Sequence, residues 1–189
     1  QMVLSGSQHI ISLDPRTGKR HWFIEGPTEQ FVASMVYDGN LFFMACGFPT
    51  YHVMGINPRG SGDVTSSHVA WTEGPSADVP TPVAANGKVF VCTDRGRVIV
   101  SDIKTGKALA QIDLPSSRSS CWSSPILADG HLYVTNQAGT TYVLKVGDKL
   151  EVVAENKLAD YTIATPVMLD GRIYLRTDRH LHCIGTKKP

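Results

Sequence analysis

Short apolar segments alternate with polar turns along the whole chain, and one such segment recurs four times. Each copy is a mainly apolar run that begins with Ser or Thr and ends in Asp-Gly or Asn-Gly. The copies are Ser34–Gly39, Thr81–Gly87, Ser124–Gly130 and Thr165–Gly171. These dipeptides adopt positive φ at little cost and therefore favour a two-residue β-hairpin. A repeat of about 40–50 residues is typical of a radial array of small sheets.

The residues around each hairpin form a unit of four short strands, which we label A to D. Strand B follows the glycine directly and carries an aromatic residue in a constant phase, as suits a half-buried pleated surface. That aromatic column comprises Phe42, Phe90, Tyr133 and Tyr174. Strand C, a polar turn and strand D complete the unit, and no segment shows helical periodicity. The sequence therefore predicts an all-β fold, a β-propeller with four-stranded antiparallel blades.

The predicted blades do not complete a ring. Aligning Asp14 with Asp102 places Met2–Leu4 on a strand B, and Ile184 ends a strand C. The predicted ranges are 1–26 for a partial blade, 27–74, 75–115 and 116–158 for full blades, and 159–189 for a second partial blade. We expect the chain to be the C-terminal portion of one longer propeller. Uncovered blade faces would then favour self-association.

Composition excludes several function classes. The formal net charge is +1, so no strong field points to nucleic acid as a partner. No apolar run approaches the roughly 18 residues of a membrane span. The cysteines form no CxxC pair, so a cysteine-based zinc site is not expected. Buried free thiols are the favoured state for Cys46, Cys92 and Cys183, which lie in predicted strands. Disulfides stay open for these three and for Cys121.

The turn after the first strand C carries the most specific motif. Ser12–Trp22 resembles the A-x-D-x-x-T-G-x-x-x-W docking motif of pyrroloquinoline quinone (PQQ)-like repeats, with motif positions at Asp14, Thr17, Gly18 and Trp22. The resemblance covers essentially the whole chain and implies that the tryptophan packs between adjacent blades. Ala110 stands at that position in a later unit, so we expect the motif to be intact once. The stretch from Gly60 to Trp71 looks like a subgroup of large bacterial PQQ-like repeat proteins.

PQQ-like repeats build both BamB-like assembly lipoproteins and quinoprotein dehydrogenases, so the resemblance implies two kinds of function. The first is a non-catalytic binding scaffold of an exported bacterial protein. Such a scaffold would be periplasmic or in the cell envelope, and would bind a protein or envelope ligand on its loop faces. The alternative is the C-terminal half of a PQQ-dependent alcohol or sugar dehydrogenase, which would hold PQQ with calcium. A sugar- or polyphenol-binding module stays open.

The sequence favours the scaffold and no cofactor. Many quinoprotein dehydrogenases carry adjacent cysteines beside the quinone, and this chain has none. Its carboxylates lie mostly in turns, where a structural role accounts for them. We therefore expect a protein that is not an enzyme.

Connections that lead into strand A usually reach the channel mouth of a propeller. The candidate residues there, facing a ligand or partner, are Asp78, Arg118, Trp122 and Tyr161. For Trp122, packing between blades is the interpretation that the sequence favours over a stacking platform. Hydroxyls recur just inside the mouth and are expected to satisfy backbone groups around the channel. They belong to Ser34, Thr81, Ser124 and Thr165.

Two further features are candidates for binding. Histidines recur where strand C begins, at His9, His52 and His180, and His182 shares a strand face with His180. No third ligand is evident, so the sequence predicts no metal site. The insertion 57–67 lengthens one C–D connection, and binding surfaces concentrate in long loops. We expect this insertion to be a partner-docking loop.

Overall fold

The computed structural model describes residues 1–26, 29–30, 32–115 and 119–185. All regular structure in this part of the chain is β, as the sequence predicts. The first ten strands are β1 (Met2–Gly6), β2 (His9–Leu13), β3 (Arg20–Glu25), β4 (Val36–Tyr37), β5 (Phe42–Cys46), β6 (His52–Ile56), β7 (Gly62–Asp63), β8 (Val69–Glu73), β9 (Val83–Ala85) and β10 (Lys88–Cys92). The others are β11 (Arg97–Asp102), β12 (Ala108–Asp113), β13 (Ile126–Ala128), β14 (His131–Thr135), β15 (Thr140–Val146), β16 (Leu150–Lys157), β17 (Val167–Leu169), β18 (Arg172–Arg176) and β19 (Leu181–Gly185).

Five sheets follow one another along the chain as blades of a propeller. Blade 1 contains β1–β3, blade 2 contains β4–β6 with β8, and blade 3 contains β9–β12. Blade 4 contains β13–β16, and blade 5 contains β17–β19. Sequence neighbours within each blade pair antiparallel, which confirms the predicted blade architecture as part of a ring. Among the described residues, no helix is both long and apolar enough to cross a membrane.

The A–B hairpins of blades 3 to 5 follow directly from their dipeptides. Asn86, Asp129 and Asp170 have positive φ, and so does the glycine after each of them. Positive φ at both central residues defines the type I′ turn, whose twist matches that of the flanking strands. These three hairpins confirm the predicted turn.

Blade 2 has a longer A–B hairpin, and this corrects the aromatic column. Val36 pairs with Phe43, whereas the equivalent Val83 pairs with Phe90. Phe43, and not Phe42, is therefore the counterpart of Phe90. A shift by one residue moves a side chain to the other face of the sheet, so Phe42 packs toward blade 1 while Phe43 packs toward blade 3.

Blades 2 and 3 bury both of their faces against their neighbours. In β10, Val89 and Val91 pack toward blade 2, and Phe90 and Cys92 pack toward blade 4. This alternation is the two-residue period of a strand. A blade is thus too thin to form a core by itself and depends on the blades beside it.

The docking-motif turn and its tryptophan connect blades 1 and 2. Asp14 Oδ1 accepts hydrogen bonds from the backbone N–H groups of Arg16 (2.7 Å) and Thr17 (3.3 Å), and the first of these bonds is the main cause that lowers the pKa of Asp14. Gly18 has φ of 70°. The Trp22 side chain is fully buried, and its Nε1 donates to Pro58 O at 2.9 Å.

A second docking tryptophan lies in blade 2, although the Asp-x-x-Thr-Gly turn of the motif does not recur there. Trp71 pairs with Gly55 on strand C, in the register at which Trp22 pairs with Ser12. Its Nε1 donates to Ile103 O in blade 3 at 3.2 Å. The insertion lengthens the chain between the end of strand C and Trp71, so the equivalence of Trp71 to Trp22 is not visible in the sequence.

The insertion 57–67 joins blades 1 and 2, and the expectation that it docks a partner stays a prediction. Its strand β7 pairs parallel with β3, which adds a fourth strand to blade 1. The Val64 side chain is buried beside Trp22, and its N–H donates to Phe23 O at 3.0 Å. Thr65 Oγ1 accepts the N–H of Glu25 at 2.9 Å. The insertion covers a strand edge that would otherwise expose unpaired backbone groups.

Candidate functional site on the loop face

One end of the propeller collects the D–A connections and the B–C turns, and we call it the loop face. The described D–A residues are 26, 29–30, 32–35, 74–82, 114–115, 119–125 and 158–166, and the B–C turns are 7–8, 47–51, 93–96, 136–139 and 177–180. Backbone bonds hold the two sets together. Cys121 N–H donates to Asp94 O at 2.9 Å, and Thr162 N–H donates to Gln137 O at 3.2 Å. Each of these bonds joins a connection to the turn of the preceding blade.

A chain of hydrogen bonds runs from blade to blade where strand A begins. The Ser34 N–H donates to Thr81 Oγ1, the Thr81 N–H to Ser124 Oγ, and the Ser124 N–H to Thr165 Oγ1, each at 3.0 Å. These bonds confirm that the recurring hydroxyls satisfy backbone groups. The partners belong to adjacent blades, so the hydroxyl column stabilises the ring around the channel.

An apolar column lies on the loop face, two residues before each hydroxyl. Three of its members are substantially exposed: Val32 by 59%, Trp122 by 40% and Ile163 by 49%. The fourth, Val79, is half-buried. The exposure of Trp122 contradicts the interpretation that its indole packs between blades. Because the bonded hydroxyls bring successive connections together, the apolar column follows the channel mouth.

The other candidate residues lie on separate parts of the same face. Asp78 belongs to the connection into blade 3, whereas Tyr161 belongs to the connection into blade 5 and is 45% exposed. The Tyr161 hydroxyl accepts a long hydrogen bond of 3.5 Å from Gln137 Nε2. Arg118 lies outside the described residues. The described candidates therefore share one surface without converging on one point.

Asp78 is the carboxylate with the most unfavourable surroundings. Its Oδ1 is buried and has no hydrogen-bond partner among the described residues, and it packs against Gly47, where a Cβ would overlap it. Its own N–H donates to Asp94 Oδ2 at 2.9 Å. Burial, and then the nearby charge of Asp94, raise the pKa of Asp78. The buried Cys121 takes this position in the next blade.

These residues do not fit a calcium–quinone centre. A Ca²⁺ ion takes six to eight oxygen ligands. The described loop face brings two carboxylates together at this point, Asp78 and Asp94, and one of them has a raised pKa.

The cysteines do not form a reactive centre in the described residues. None of the four forms a disulfide within this part of the chain, and Cys46, Cys92 and Cys121 are buried while Cys183 is exposed. Burial raises the pKa of Cys46 to about 12. A hydrogen bond with Cys121, and then burial, raise the pKa of Cys92. The thiolate is the reactive form of cysteine, so these buried thiols are unreactive.

Three similar cavities open on the loop face, one each at blades 3, 4 and 5. Their volumes are about 520, 450 and 490 Å³. Equivalent residues at the start of strand C or directly before it line the three cavities: Arg97, Thr140 and His180, respectively. Arg97 is engaged with Asp113 at 2.7 Å. These cavities are thus one architectural feature with a different chemical lining in each blade.

The cavity of blade 5 brings together three side chains that can bind a metal. One donor atom each of Asp160, His180 and His182 lies within 4.8 Å of the others. The sequence identified the two histidines but not the carboxylate, because Asp160 is 20 residues from His180 in a different connection. A signal was present, since Asp160 lies five residues before Thr165, the same offset as Ser119 before Ser124.

Comparisons with known proteins agree with this architecture. Residues 52–150, just over half of the chain, match the family model described as outer membrane protein assembly factor BamB. The crystal structure of BamB from Moraxella catarrhalis superposes with a TM-score of 0.72 at 15% identity, over 95% of this chain and 55% of that one. The computationally designed protein Ika8 superposes with a TM-score of 0.68 at 13% identity, over 91% of this chain and 53% of that one.

The chain thus spans about half the length of these solved structures, and at such identities they show the fold alone. No curated protein sequence matches the chain. The family match and the blade architecture lead to one conclusion: this chain belongs to the PQQ-like, BamB-like β-propeller family.

Proposed function

We propose that this chain is a non-catalytic scaffold that binds a protein partner through its loop face. The observation that supports this is the exposed apolar column of Val32, Trp122 and Ile163 around the channel mouth. Phe48 and Tyr51, at 50% and 45% exposure, add aromatic surface in the blade 2 turn. Exposed apolar surface of this kind on a folded protein marks an interaction site, and aromatic residues are enriched at protein interfaces.

The neighbouring polar groups favour binding over chemistry. The hydroxyls at the channel mouth bond to backbone N–H groups of adjacent blades. Asp94, in a B–C turn of the loop face, accepts the backbone N–H of Asp78. A general base needs an accessible proton acceptor beside the substrate, and these groups are already engaged in holding the fold. The surface that remains is suited to an apolar segment of another protein.

The compartment and the class of partner follow from the family. Its model is described as an outer membrane protein assembly factor, which supports an extracytoplasmic location in a bacterial cell envelope and a partner that is itself an envelope protein. The loop face carries the apolar column, and the formal net charge of the chain is +1. The partner surface is therefore expected to be apolar rather than strongly charged.

Site-specific photo-crosslinking in cells tests this proposal. A crosslinker at position 122 or 163 should capture one protein partner, whereas positions 109 and 153 should not. Leu109 and Val153 are matched controls because they are 56% and 47% exposed but lie on the outer strands β12 and β16. Replacement of Trp122 and Ile163 by serine should abolish capture from a third loop-face position, Tyr51. Equal capture at all positions, or none at the loop face, would contradict the proposal.

A separate assay addresses catalysis. The purified protein is mixed with PQQ and calcium and examined for quinone absorbance and for dye reduction with alcohols or aldoses. We expect neither stoichiometric quinone binding nor turnover, because only two carboxylates, Asp78 and Asp94, come together at that point of the described loop face, and calcium takes six to eight oxygen ligands. Tight binding of one quinone per chain would refute the non-catalytic assignment. It would not affect the conclusion about partner binding, which the crosslinking experiment tests separately.

A further inference from the structure

At three positions the cavity of blade 5 carries a metal-ligating group where its equivalents in blades 3 and 4 carry none. The loop residue is Asp160, where blades 3 and 4 have Ser76 and Ser119. The residue directly before β19 is His180, where they have Arg97 and Thr140. Two residues later stands His182, at the position of Ile99 and Tyr142. Three coordinated differences at one point indicate a function that the blade architecture itself does not require.

The third position is the most informative of the three. Tyr142 and Met54 hold it in blades 4 and 2, and both are buried against the preceding blade. His182 points the same way, because its Nε2 lies 3.4 Å from Thr177 Oγ1, and that hydroxyl also contacts Asp160. Blade 5 thus places an imidazole where other blades place an apolar contact. Blade 2 has Glu29 and His52 at the first two positions but Met54 at the third.

The three donors are already close to one another. The distance from His180 Nδ1 to Asp160 Oδ2 is 3.2 Å, and the two imidazole centroids lie 5.5 Å apart. Metal–ligand bonds of about 2.0–2.2 Å at tetrahedral angles place neighbouring ligand atoms about 3.3 Å apart. The distance between His180 and Asp160 matches this value. The donor nitrogen of His182 lies within 4.8 Å of the other two donor atoms, and rotation of its side chain would bring it to ligand distance.

Supporting contacts hold the carboxylate in place. Thr177 Oγ1 donates to Asp160 Oδ2 at 2.8 Å, which is the type of outer contact that orients metal ligands. The Asp160 backbone packs directly on Gly139 of blade 4, where a Cβ would overlap it. Asp178 and Arg179 also line the cavity, so two carboxylates face one guanidinium and the cavity carries excess negative charge.

We propose that Asp160, His180 and His182 form a binding site for a divalent transition-metal ion of the zinc type. Two imidazoles and one carboxylate suit zinc, nickel or cobalt, whereas calcium and magnesium prefer oxygen ligands. Three protein ligands leave a coordination position for water or for a donor group of another molecule. The site lies on the loop face between blades 4 and 5. A bound ion would link the chain segment that leads from blade 4 into blade 5 to strand C of blade 5.

Isothermal titration of the chelator-treated protein with Zn²⁺ tests the site. One ion per chain should bind with micromolar or tighter affinity, and Co²⁺ should give the visible absorption of a four- or five-coordinate ion. Ca²⁺ and Mg²⁺ should give neither signal. Absence of stoichiometric Zn²⁺ binding below about 100 μM would overturn the proposal.

The other blades supply matched variants that the fold already accepts. His182→Ile, His180→Thr and Asp160→Ser introduce the residues found at equivalent positions, and each should weaken Zn²⁺ binding at least tenfold. His9→Ala is the control, because His9 faces Glu25 at 4.0 Å without a second imidazole. Thermal unfolding with and without Zn²⁺ gives a second readout, since the ion should raise the Tm of the wild type and of His9→Ala alone. Zn²⁺ affinity that is unchanged in His182→Ile and Asp160→Ser would refute the site.

Discussion

Two contacts between blades share the same backbone geometry but are filled by different side chains. They are the contact between blades 2 and 3 and the contact between blades 3 and 4. In the first, the Trp71 indole lies on Gly106 of the next blade and donates to Ile103 O. In the second, Ala110 holds the tryptophan position and pairs with Val100 in the same register. The second core is closed instead by Tyr142 and Leu144, which are both buried.

The loop-face ends of the two contacts differ in a parallel way. Asp78 lies at the end of the contact between blades 2 and 3, with a buried oxygen that has no described partner. Cys121 takes that position between blades 3 and 4 and is fully buried. The first contact thus combines a large aromatic anchor with an unfavourable carboxylate, and the second uses apolar residues throughout. The tryptophan is one way of filling the inter-blade space, and the ring does not need it at every blade.

The largest effect is expected when the aromatic anchor is removed. Trp71→Ala should lower the free energy of unfolding by about 3–5 kcal/mol, because it leaves a large cavity in a packed core. Urea unfolding of the variant and the wild type measures this difference. Leu109→Ala, on an exposed side chain, is the control and should change stability by less than about 0.5 kcal/mol. Equal effects of the two substitutions would contradict the role of Trp71.

An intermediate effect is expected where the tryptophan meets the next turn. Gly106 has φ of 72°, and a Cβ there would overlap the Trp71 ring. Gly106→Ala should therefore combine a backbone cost of about 1–2 kcal/mol with an overlap cost of about 1–3 kcal/mol.

Gly18→Ala separates these two costs. Gly18 has φ of 70° in the equivalent turn of blade 1, and a Cβ added there would meet no described atom within 4 Å. This variant should lose the backbone cost alone in the same urea measurement. Equal losses at Gly18 and Gly106 would show that Trp71 does not constrain the turn.

The smallest effect is expected at Asp78 and depends on pH. Its folded-state pKa is raised from 3.8 by burial and by Asp94, so the protonated form is favoured in the fold. The stability that protonated Asp78 contributes is fully present below the ordinary pKa of aspartate. It is lost as the pH rises through the raised pKa of the folded state. Asp78→Asn should then increase stability at pH 7 by less than about 1 kcal/mol, since the side chain is only half-buried, and should give no gain at pH 3.

Asp102→Asn should change the stability at pH 7 in the opposite direction to Asp78→Asn in the same urea experiment. Hydrogen bonds from Thr105 lower the pKa of Asp102, so its charged form is the favoured one and its contribution is present at neutral pH. The substitution should reduce stability at pH 7 and have a smaller effect at pH 3. A pH-independent change at Asp78 would contradict the assigned cause.

Local sequence signals are reliable where a single turn or a strand period decides the structure. The dipeptides Asn86-Gly87, Asp129-Gly130 and Asp170-Gly171 specify their hairpins because positive φ is a property of those residues. Blade 2 shows the limit of such signals. Its hairpin is longer, and the resulting register exchanges the roles of Phe42 and Phe43.

The docking motif predicts the packing of Trp22 between blades, but most contacts between blades could not be predicted, because they join residues that are distant in the sequence. No local pattern at 57–67 indicates that β7 pairs with β3 and covers the edge of blade 1. The sequence favours packing of Trp122 between blades, but the indole is exposed. Asp160 is absent from the candidate residues because its relation to His180 exists only in the folded chain.

The sequence by itself determined the repeat, the strands and the hairpins of this protein, since each follows from residues close together in the chain. Tertiary structure alone decided which side chains meet across adjacent blades: the indole of Trp71 on Gly106, the hydroxyl chain from Ser34 to Thr165, and the carboxylate of Asp160 beside two imidazoles. The physical reason is that a thin sheet buries its faces only against its neighbours. The stacking of blades, which no local pattern encodes, therefore sets both the core and the composition of the loop face.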